Sequence, residues 1–296
     1  MSTIKNYLSL VKFAHSIFAL PFALIGFFLG IGSNHTSLPN DQLIKQFLLV
    51  IGCMVFARSA AMAFNRYLDA RFDAKNPRTA IREIPAGILQ ANNVLLFTIV
   101  NCALFITCCF FINKICFYLS PVALFVILFY SYTKRFTALC HLVLGVGLSL
   151  APIGAYLAVT GKFDLLPVLF SFTVLCWVSG FDIIYALQDE AFDESQQLHS
   201  IPVAVGKKNA LHISEGLHFL SAAFVVFAGI YGHFGAWYWT GVVIFSGLLI
   251  YQHLLVKPTD LSKVNKAFFT TNGIASVLFA AFAILDLFLS KNKFPL

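Results

Sequence analysis

The sequence is poor in charge. Only 11% of its 296 residues are Asp, Glu, Lys or Arg, whereas a soluble globular domain carries about 25%. Hydrophobic residues make up 59% of the chain, so there is too little polar surface to cover the apolar part in water. This composition excludes an ordinary soluble fold and indicates an integral membrane protein.

Several familiar catalytic signatures are also absent. The sequence contains neither a GxGxxG loop nor a Walker-type phosphate loop, which argues against nucleotide hydrolysis. Its eight histidines lack HxxxH and HExxH spacing, and its seven cysteines lack CxxC spacing. We therefore assign no histidine to a metal and expect the cysteines to be small buried hydrophobic residues.

Apolar runs of roughly 17 to 23 residues recur along the whole chain, and each can cross a ~30 Å hydrocarbon layer as a helix. The hydropathy pattern predicts nine helices, at about 13–31, 43–65, 93–112, 115–131, 139–159, 165–187, 211–231, 236–256 and 267–289. The predicted fold is all-α, a polytopic membrane protein whose residues 1–296 form a single domain.

Basic residues concentrate on alternate connections of this pattern. One side carries most of them: Lys5, Lys12, Arg66, Arg71, Lys75, Arg78, Arg82, Lys134, Arg135, Lys207, Lys208, Lys257, Lys263 and Lys266. The positive-inside rule then places the N-terminus and the connections after helices 2, 4, 6 and 8 in the cytoplasm. A bacterial inner membrane is the expected location. We attribute the net charge of +7 to the basic residues that orient the chain in the membrane. We therefore expect membrane lipid and no nucleic acid among the partners.

The fifth predicted helix is rich in small residues. Gly145, Gly147, Ser149 and Gly154 follow one another within it, and such residues let helices approach closely in lipid. Helix packing is the favoured interpretation, and lining a cavity for a bulky ligand is the alternative.

Two acidic segments stand out at the ends of the second and sixth predicted helices. Asn65, Asp69 and Asp73 follow one another at intervals of four residues, which places them on one helical stripe. Asp182, Asp189 and Asp193 are spaced by seven and four residues, which also predicts one stripe, with Tyr185 beside it.

Related phrases follow the two segments, Arg82-Glu-Ile-Pro85-Ala-Gly87 and Ser200-Ile-Pro202-Val-Ala-Val-Gly206. The second and sixth helices are therefore predicted to be equivalent members of two four-helix pseudo-repeats, with one further helix. Their acids would meet at one cytoplasmic mouth, under a cap formed by the connections, because binding sites commonly lie at repeat interfaces.

Oxygen ligands without a His or Cys cluster favour Mg²⁺, which proteins usually hold with one or two carboxylates plus substrate phosphates. Arg78, Arg82 and Lys134 add cations on the same side for the remaining phosphate oxygens. The segments thus predict a metal-chelated diphosphate as ligand. A solvated, charge-balanced loop is the alternative, although it does not account for the matched spacing.

Arg58 and Asp182 lie within or near the ends of apolar helices, where an ionisable side chain is expensive and indicates function. Arg58 precedes Asn65 by seven residues and shares its helix face, so it can meet a substrate carboxylate. A structural Arg58–Asp182 ion pair between the two helices is the alternative.

These residues resemble the signatures of the UbiA superfamily of intramembrane aromatic prenyltransferases, in particular its 4-hydroxybenzoate polyprenyltransferases. Asn65-x₃-Asp69-x₃-Asp73 resembles the family's first acidic signature, NDxxDxxxD, and Asp189-x₃-Asp193 resembles the second. Two further phrases are similar to the family's YxxxK and RTxxRPxxxG elements: Tyr130-Ser-Tyr-Thr-Lys134, and Arg78-Thr-Ala-Ile-Arg82 with Pro85 and Gly87.

Two positions depart from the family pattern. Arg66 stands where the first signature usually has its second residue, an Asp, and His199 stands where many members have Lys before Ser200. The first departure leaves one fewer acid for metal, which leaves the metal stoichiometry open. The second removes a fixed cation near the diphosphate.

The resemblance implies Mg²⁺-dependent transfer of a polyprenyl group from a polyprenyl diphosphate to an aromatic acid, with release of pyrophosphate. The metal ligands that it implies are Asp69, Asp73, Asp189 and Asp193. The substrate-binding residues that it implies are Arg58, Asn65, Arg78, Arg82, Lys134 and Ser200. The catalytic residues that it implies are Asp182, Tyr130 and Tyr185.

Two acceptors remain open at this point. One is 4-hydroxybenzoate in ubiquinone synthesis, and the other is a naphthoate-type acid on a menaquinone route, towards which the phrases at Asp73–Ala80 and His199–Pro202 lean. From other classes, a structural membrane subunit would not need paired acids. A secondary transporter would place its ionisable groups near the bilayer midplane.

Overall fold

The computed structural model describes residues 3–11, 18–33 and 39–289. Apart from one isolated bridge between Lys257 and Asp260, these ranges form helices joined by turns and short irregular segments. The helices are α1 Thr3–Val11, α2 Leu20–Gly32, α3 Asn40–Asp73, α4 Ala91–Ile112, α5 Lys114–Thr133, α6 Cys140–Thr160, α7 Leu165–Ala186, α8 Glu190–Ser195, α9 Ile201–Tyr231, α10 Ala236–Leu255 and α11 Asn272–Leu289, which a π-helical turn, Lys266–Thr271, precedes.

Within the described residues, eight helices are long and apolar enough to cross a membrane: α3 to α7, α9, α10, and α11 together with its π-helical turn. The prediction of an all-α polytopic protein is therefore confirmed. The predicted count of nine is not, because α2 has only 13 residues. The N-terminal part of the predicted span 13–31, up to residue 17, lies outside the described residues.

Two helix boundaries differ from those predicted by hydropathy. The second predicted span ended at residue 65, but α3 continues for two turns to Asp73. The seventh was predicted to start at residue 211, but α9 begins at Ile201 and is interrupted at Gly206, whose φ of 76° is left-handed. In both cases polar and charged residues at the membrane surface hide helical backbone from a hydropathy reading.

Helix α7 lies at the centre of the bundle, and 67% of its most apolar 18-residue segment is buried, more than in any other described span. It packs against α2, α6 and α9. Its Trp177 is fully buried among aromatic rings and donates a hydrogen bond from Nε1 to Oδ1 of Asn272 over 2.8 Å. Gln252 donates to the same oxygen over 2.7 Å, so α7, α10 and α11 share one buried polar contact.

Helices α6 and α7 approach closely at Gly145. A Cβ atom added there would lie 2.6 Å from the carbonyl oxygen of Leu175 and closer still to Oγ of Ser179. The Ser179 hydroxyl is within hydrogen-bonding distance of the carbonyl oxygens of Leu175, at 2.7 Å, and His141, at 3.2 Å. The packing interpretation is confirmed at Gly145, and this contact sets the position of His141 relative to α7.

Replacing Gly145 by Ala should therefore lower the free energy of unfolding by about 1–3 kcal/mol, the usual penalty for overpacking. Gly154→Ala on the same helix is the matched control, because nothing lies within 4 Å of its added Cβ. Thermal unfolding of both variants in one detergent measures the difference. Equal midpoints would contradict the close α6–α7 contact.

Candidate active site

A cavity of about 280 Å³ opens at the end of the bundle where α3, α5 and α7 end and α9 begins. The thirteen residues predicted for the site all line it: Arg58, Asn65, Asp69, Asp73, Arg78, Arg82, Tyr130, Lys134, Asp182, Tyr185, Asp189, Asp193 and Ser200. The structure thus brings the two acidic segments together. The roles of the individual residues stay predictions.

The first acidic segment lies on the last two turns of α3, as its spacing predicted. Asp69 accepts hydrogen bonds from Arg135 over 2.9 Å and from Nδ2 of Asn65 over 3.1 Å. Nη1 of Arg82 lies 2.6 Å and 2.8 Å from the two carboxylate oxygens of Asp73. Both carboxylates of this segment are therefore neutralised by guanidinium groups.

The second acidic segment does not form the single helical stripe that its spacing predicted. Helix α7 ends at Ala186, Asp189 is the N-cap residue of α8, and Asp193 lies inside α8. The chain turns between the two helices in a way that buries Leu187 beside Ile201 in the cluster at the start of α9. This turn, rather than continuous helical periodicity, brings Asp182, Asp189 and Asp193 to the cavity.

Two cations meet the distal acids of the second segment. Nε of Arg78 donates to Oδ1 of Asp189 over 3.1 Å and its Nη1 donates to the Tyr185 hydroxyl over 2.9 Å. Nζ of Lys134 lies 2.7 Å from Oδ1 of Asp193. Burial lowers the pKa of Arg78 and of Lys134, but the facing carboxylates outweigh it and hold both pKa values above their ordinary range. Both groups are thus positively charged.

Asp182 pairs with His141, which sequence reasoning missed. Nδ1 of His141 lies 2.7 Å from Oδ2 of Asp182, and the backbone N–H of Ile201 points at Nε2 over 3.4 Å. An ionised carboxylate can only accept, so Nδ1 of His141 donates to Asp182. The Arg58–Asp182 pair considered above is not formed. A polar residue inside the fifth apolar run was the signal that should have singled out His141.

Arg135 was counted only as a topology determinant, yet it has several contacts in the site. Its Nη1 donates to the carbonyl oxygen of Ser131 over 2.8 Å, and its Nη2 donates to that of Leu68 over 3.0 Å and to Asp69. Its guanidinium carbon also lies 4.9 Å from the ring centroid of Tyr132. Arg135 therefore holds the end of α3 against α5.

Among the described residues, two other guanidinium groups in the cavity have no carboxylate partner. Arg58 and Arg66 both line it, neither forms an ion pair there, and Nε of each is buried without a hydrogen-bond acceptor. Arg66 is only 4% exposed. Buried cations are normally paired, so these two groups mark a place for anionic oxygens.

Aromatic rings line the deeper side of the cavity. The ring centroid of Phe268 lies 4.2 Å from that of Tyr185 and 5.2 Å from that of Phe181. Tyr130 lines the cavity beside Arg58. Ser200 also lines it, but its hydroxyl accepts a hydrogen bond from the backbone N–H of Val203 over 3.4 Å and so caps α9.

The donor set fits a hard divalent cation. In the described ranges, no three His, Cys, Asp or Glu side chains are grouped to hold a metal, and Mg²⁺ characteristically needs only one or two carboxylates when phosphates supply other ligands. Both carboxylate oxygens of Asp193 are buried, and in the described residues their one cationic partner is the Lys134 ammonium. Burial also raises the pKa of Asp193, against the attraction of Lys134. A divalent cation at this carboxylate would use the oxygen that Lys134 does not contact.

Comparisons with known proteins agree with one another. The sequence profile of the UbiA prenyltransferase family matches residues 19–274. The 4-hydroxybenzoate octaprenyltransferase of Nitrosomonas europaea is 29% identical over 262 residues, 87% of each chain, and that of Francisella tularensis subsp. novicida is 29% identical over 232 residues, 78% of this chain and 81% of its own.

Solved structures give the same result. The apo structure of a UbiA homologue from Aeropyrum pernix K1 superimposes with a TM-score of 0.82 and 28% identity, over 92% of this chain and 98% of its own. A UbiA homologue from Archaeoglobus fulgidus bound to DMAPP and Mg²⁺ shares the fold, with a TM-score of 0.71 and 19% identity over 96% of this chain and 99% of its own.

Arg135→Lys should lower the free energy of unfolding by about 1.5–3 kcal/mol, because an ammonium group keeps the charge but not the planar fork that reaches two carbonyls and Asp69. Arg71→Lys, an exposed residue on α3, is the matched control and should unfold like the parent chain. Thermal unfolding in detergent measures both. A loss of stability in the control as large as in the Arg135 variant would contradict the conclusion that Arg135 holds the end of α3 against α5.

Proposed function

The chain belongs to the UbiA prenyltransferase family, and from this premise we propose that it transfers a polyprenyl group from polyprenyl diphosphate to an aromatic acid in quinone biosynthesis. That it is a prenyltransferase follows from the family and from its 4-hydroxybenzoate octaprenyltransferase relatives. The acceptor that these relatives favour is a 4-hydroxybenzoate-type acid. One observation carries the proposal: the cavity combines a charged mouth, two unpaired guanidinium groups and an aromatic wall.

The charged mouth suits the diphosphate. In the transfer, the bond between the allylic carbon and the diphosphate oxygen breaks, a bond to a ring carbon forms, and a ring proton and pyrophosphate leave. Negative charge grows on the departing oxygens, and fixed cations such as Arg78, Arg82 and Lys134 stabilise it. Tyr185, whose hydroxyl accepts a hydrogen bond from Arg78, keeps that guanidinium at the mouth.

We propose Mg²⁺ as the cofactor, held by carboxylates among Asp69, Asp73, Asp189 and Asp193. When bound, it supplies Lewis-acid neutralisation of the leaving diphosphate. The oxygen-only donor set and the buried carboxylate of Asp193, whose one cationic partner in the described residues is Lys134, support this choice. The printed description of the Archaeoglobus fulgidus homologue, bound to DMAPP and Mg²⁺, supports it as well.

The inner part of the cavity suits an aromatic acid. Arg58 lies on the same helix face as Asn65, further from the mouth, and its guanidinium has no carboxylate partner in the described residues. It would bind the carboxylate of the acceptor, while Asn65 and Asp182 orient the ring. His141 holds the Asp182 carboxylate, so the acceptor hydroxyl would meet an oxygen of fixed direction.

The aromatic wall has a separate task. Tyr130, Tyr185 and Phe268 would surround the allylic carbon, and aromatic faces attract positive charge. They also exclude water, which would otherwise trap the carbocation as an alcohol. The tight packing of Tyr185 against Phe268 supports a preformed wall.

The chain is an integral membrane protein, and we propose a bacterial inner membrane with the cavity facing the cytoplasm. The concentration of basic residues on the connections at the cavity end supports this orientation. A polyprenyl donor would then keep its chain in lipid and its diphosphate at the mouth. The secondary-transporter alternative is abandoned, because the family consists of enzymes. A naphthoate-type acceptor of a menaquinone route remains the second candidate, since its carboxylate would suit Arg58 equally.

Asp189→Asn should reduce product formation by roughly 100-fold or more, the typical loss when one group stabilising a transition state is removed. Glu190→Gln is the matched control: Glu190 is the adjacent acid, pairs with Lys207 over 3.3 Å and does not line the cavity. Both variants are offered geranyl diphosphate, acceptor and Mg²⁺ in detergent, and the prenylated acid is counted by mass spectrometry. Full turnover by the Asp189 variant would contradict the proposal that the diphosphate binds at the charged mouth of the cavity.

The acceptor is identified in the same assay by offering 4-hydroxybenzoate, a dihydroxynaphthoate or an aminonaphthoate, with and without Mg²⁺. A prenylated acid that forms only with Mg²⁺ is the expected result. Arg58→Gln should raise the KM of that acid by roughly tenfold, the value of one charge-assisted hydrogen bond, and leave the KM of its methyl ester unchanged. Equal effects on acid and ester would contradict a carboxylate contact at Arg58.

A further inference from the structure

The two acidic segments differ in how firmly their partners hold them. Arg135 is tied to two backbone carbonyls as well as to Asp69, and Arg82 contacts both oxygens of Asp73. Each of these guanidinium side chains is 21% exposed. The carboxylates of the first segment are therefore neutralised by cations that the fold keeps in place.

One partner of the second segment is freer to leave. The side chain of Lys134 is 35% exposed and contacts Asp193 through a flexible chain, with no further hydrogen bond to the described residues. Arg78 is equally exposed, but Tyr185 also accepts a hydrogen bond from it. The Asp193 side chain is 1% exposed, and its one cationic partner in the described residues is the Lys134 ammonium, 2.7 Å from Oδ1. A carboxylate so buried, with a single flexible partner, has room in its coordination for a further cation.

Arg66 presents the opposite case on the first segment. It is 4% exposed and lines the cavity, and its Nε lacks an acceptor in the part of the chain that the structure describes. Asp73 is already held by Arg82, and Glu83 accepts a hydrogen bond from Ser9 over 2.6 Å. A guanidinium so buried and unpaired calls for an anion.

The charges divide in the same way. Beside the two carboxylates of the first segment stand three guanidinium groups, those of Arg66, Arg82 and Arg135, which leaves an excess of one positive charge. Beside the three carboxylates of the second segment stand two permanent cations, Arg78 and Lys134, and the imidazole of His141, so that half has no excess of positive charge. An anion is therefore attracted to the first half of the cavity, and a cation meets less repulsion in the second.

We propose that this chain binds a single Mg²⁺, at Asp189 and Asp193 of the second segment, and that Arg66 binds the diphosphate oxygens on the side of the first segment. The proposal rests on the proposed function and deepens it. Asp69 and Asp73 then anchor Arg135 and Arg82 instead of ligating metal. Arg66 supplies, as part of the protein, the positive charge that a second metal ion would bring.

The test counts bound ions without requiring turnover. Mn²⁺ replaces Mg²⁺, geranyl S-thiolodiphosphate serves as an unreactive donor analogue, and electron paramagnetic resonance reports bound Mn²⁺ per chain in detergent. We expect one ion per chain, and none in Asp193→Asn. Two ions in the parent chain, no ion at all, or an ion that survives Asp193→Asn would overturn the proposal.

Substitutions at Arg66 test the proposal that this residue binds the diphosphate oxygens. Arg66→Gln should keep one Mn²⁺ and weaken binding of the analogue by roughly ten- to hundredfold, the worth of a hydrogen bond to a charged group. Arg66→Asp should bind a second Mn²⁺, because it restores an acid beside Asp69 and Asp73. Unchanged analogue affinity in Arg66→Gln, or one ion in a folded Arg66→Asp chain, would count against it.

Controls separate misfolding and the proposed function from this result. Arg66→Lys keeps the charge and should recover part of the analogue affinity, and Glu190→Gln should match the parent chain in ion count and affinity. Thermal unfolding identifies variants that fail to fold. If no acceptor is prenylated while one Mn²⁺ and the analogue bind as expected, the proposed acceptor is wrong. The assignment of the metal to the second segment and of the diphosphate to Arg66 would still hold.

Discussion

The structure depends on the pairing of charges at the edge of an apolar bundle. Five carboxylates converge on one cavity, and each has a basic partner on a different part of the chain: Asp69 with Arg135, Asp73 with Arg82, Asp182 with His141, Asp189 with Arg78 and Asp193 with Lys134. An unpaired buried carboxylate would destabilise the fold by several kcal/mol or take up a proton. The pairs therefore hold the ends of α3, α5, α7 and α8 together.

The same pairs prepare the cavity for a ligand that carries both signs of charge. A metal-bound diphosphate offers a cation to the acids and anionic oxygens to the bases, so each pair can exchange its internal partner for a ligand group without leaving a charge bare. Exchange is easiest where the basic partner is exposed and flexible, as at Lys134. It is hardest at Arg135, which the backbone of α3 and α5 also holds.

Periodicity predicted the membrane helices and, through the spacing of Asn65, Asp69 and Asp73, the first acidic stripe, because both depend on neighbours along one helix. It could not predict partners that come from other helices. His141 and Arg135 were missed because their contacts are set by how α6 packs on α7 and α5 on α3. The α7–α8 turn was missed for the same reason, since the burial of Leu187 depends on Ile201 of another helix.

The two departures from the family pattern are best understood together. Arg66 adds a cation to the first segment, where the family pattern has an acid, and exposed His199 stands where many members carry Lys beside the second segment. The first change moves that half of the cavity two units towards positive charge, and the second removes a fixed positive charge from the other half. Both therefore increase the same asymmetry in charge. A site that must bind a metal and a diphosphate side by side gains from this division, because the positive excess that attracts the diphosphate lies away from the carboxylates that would hold the metal.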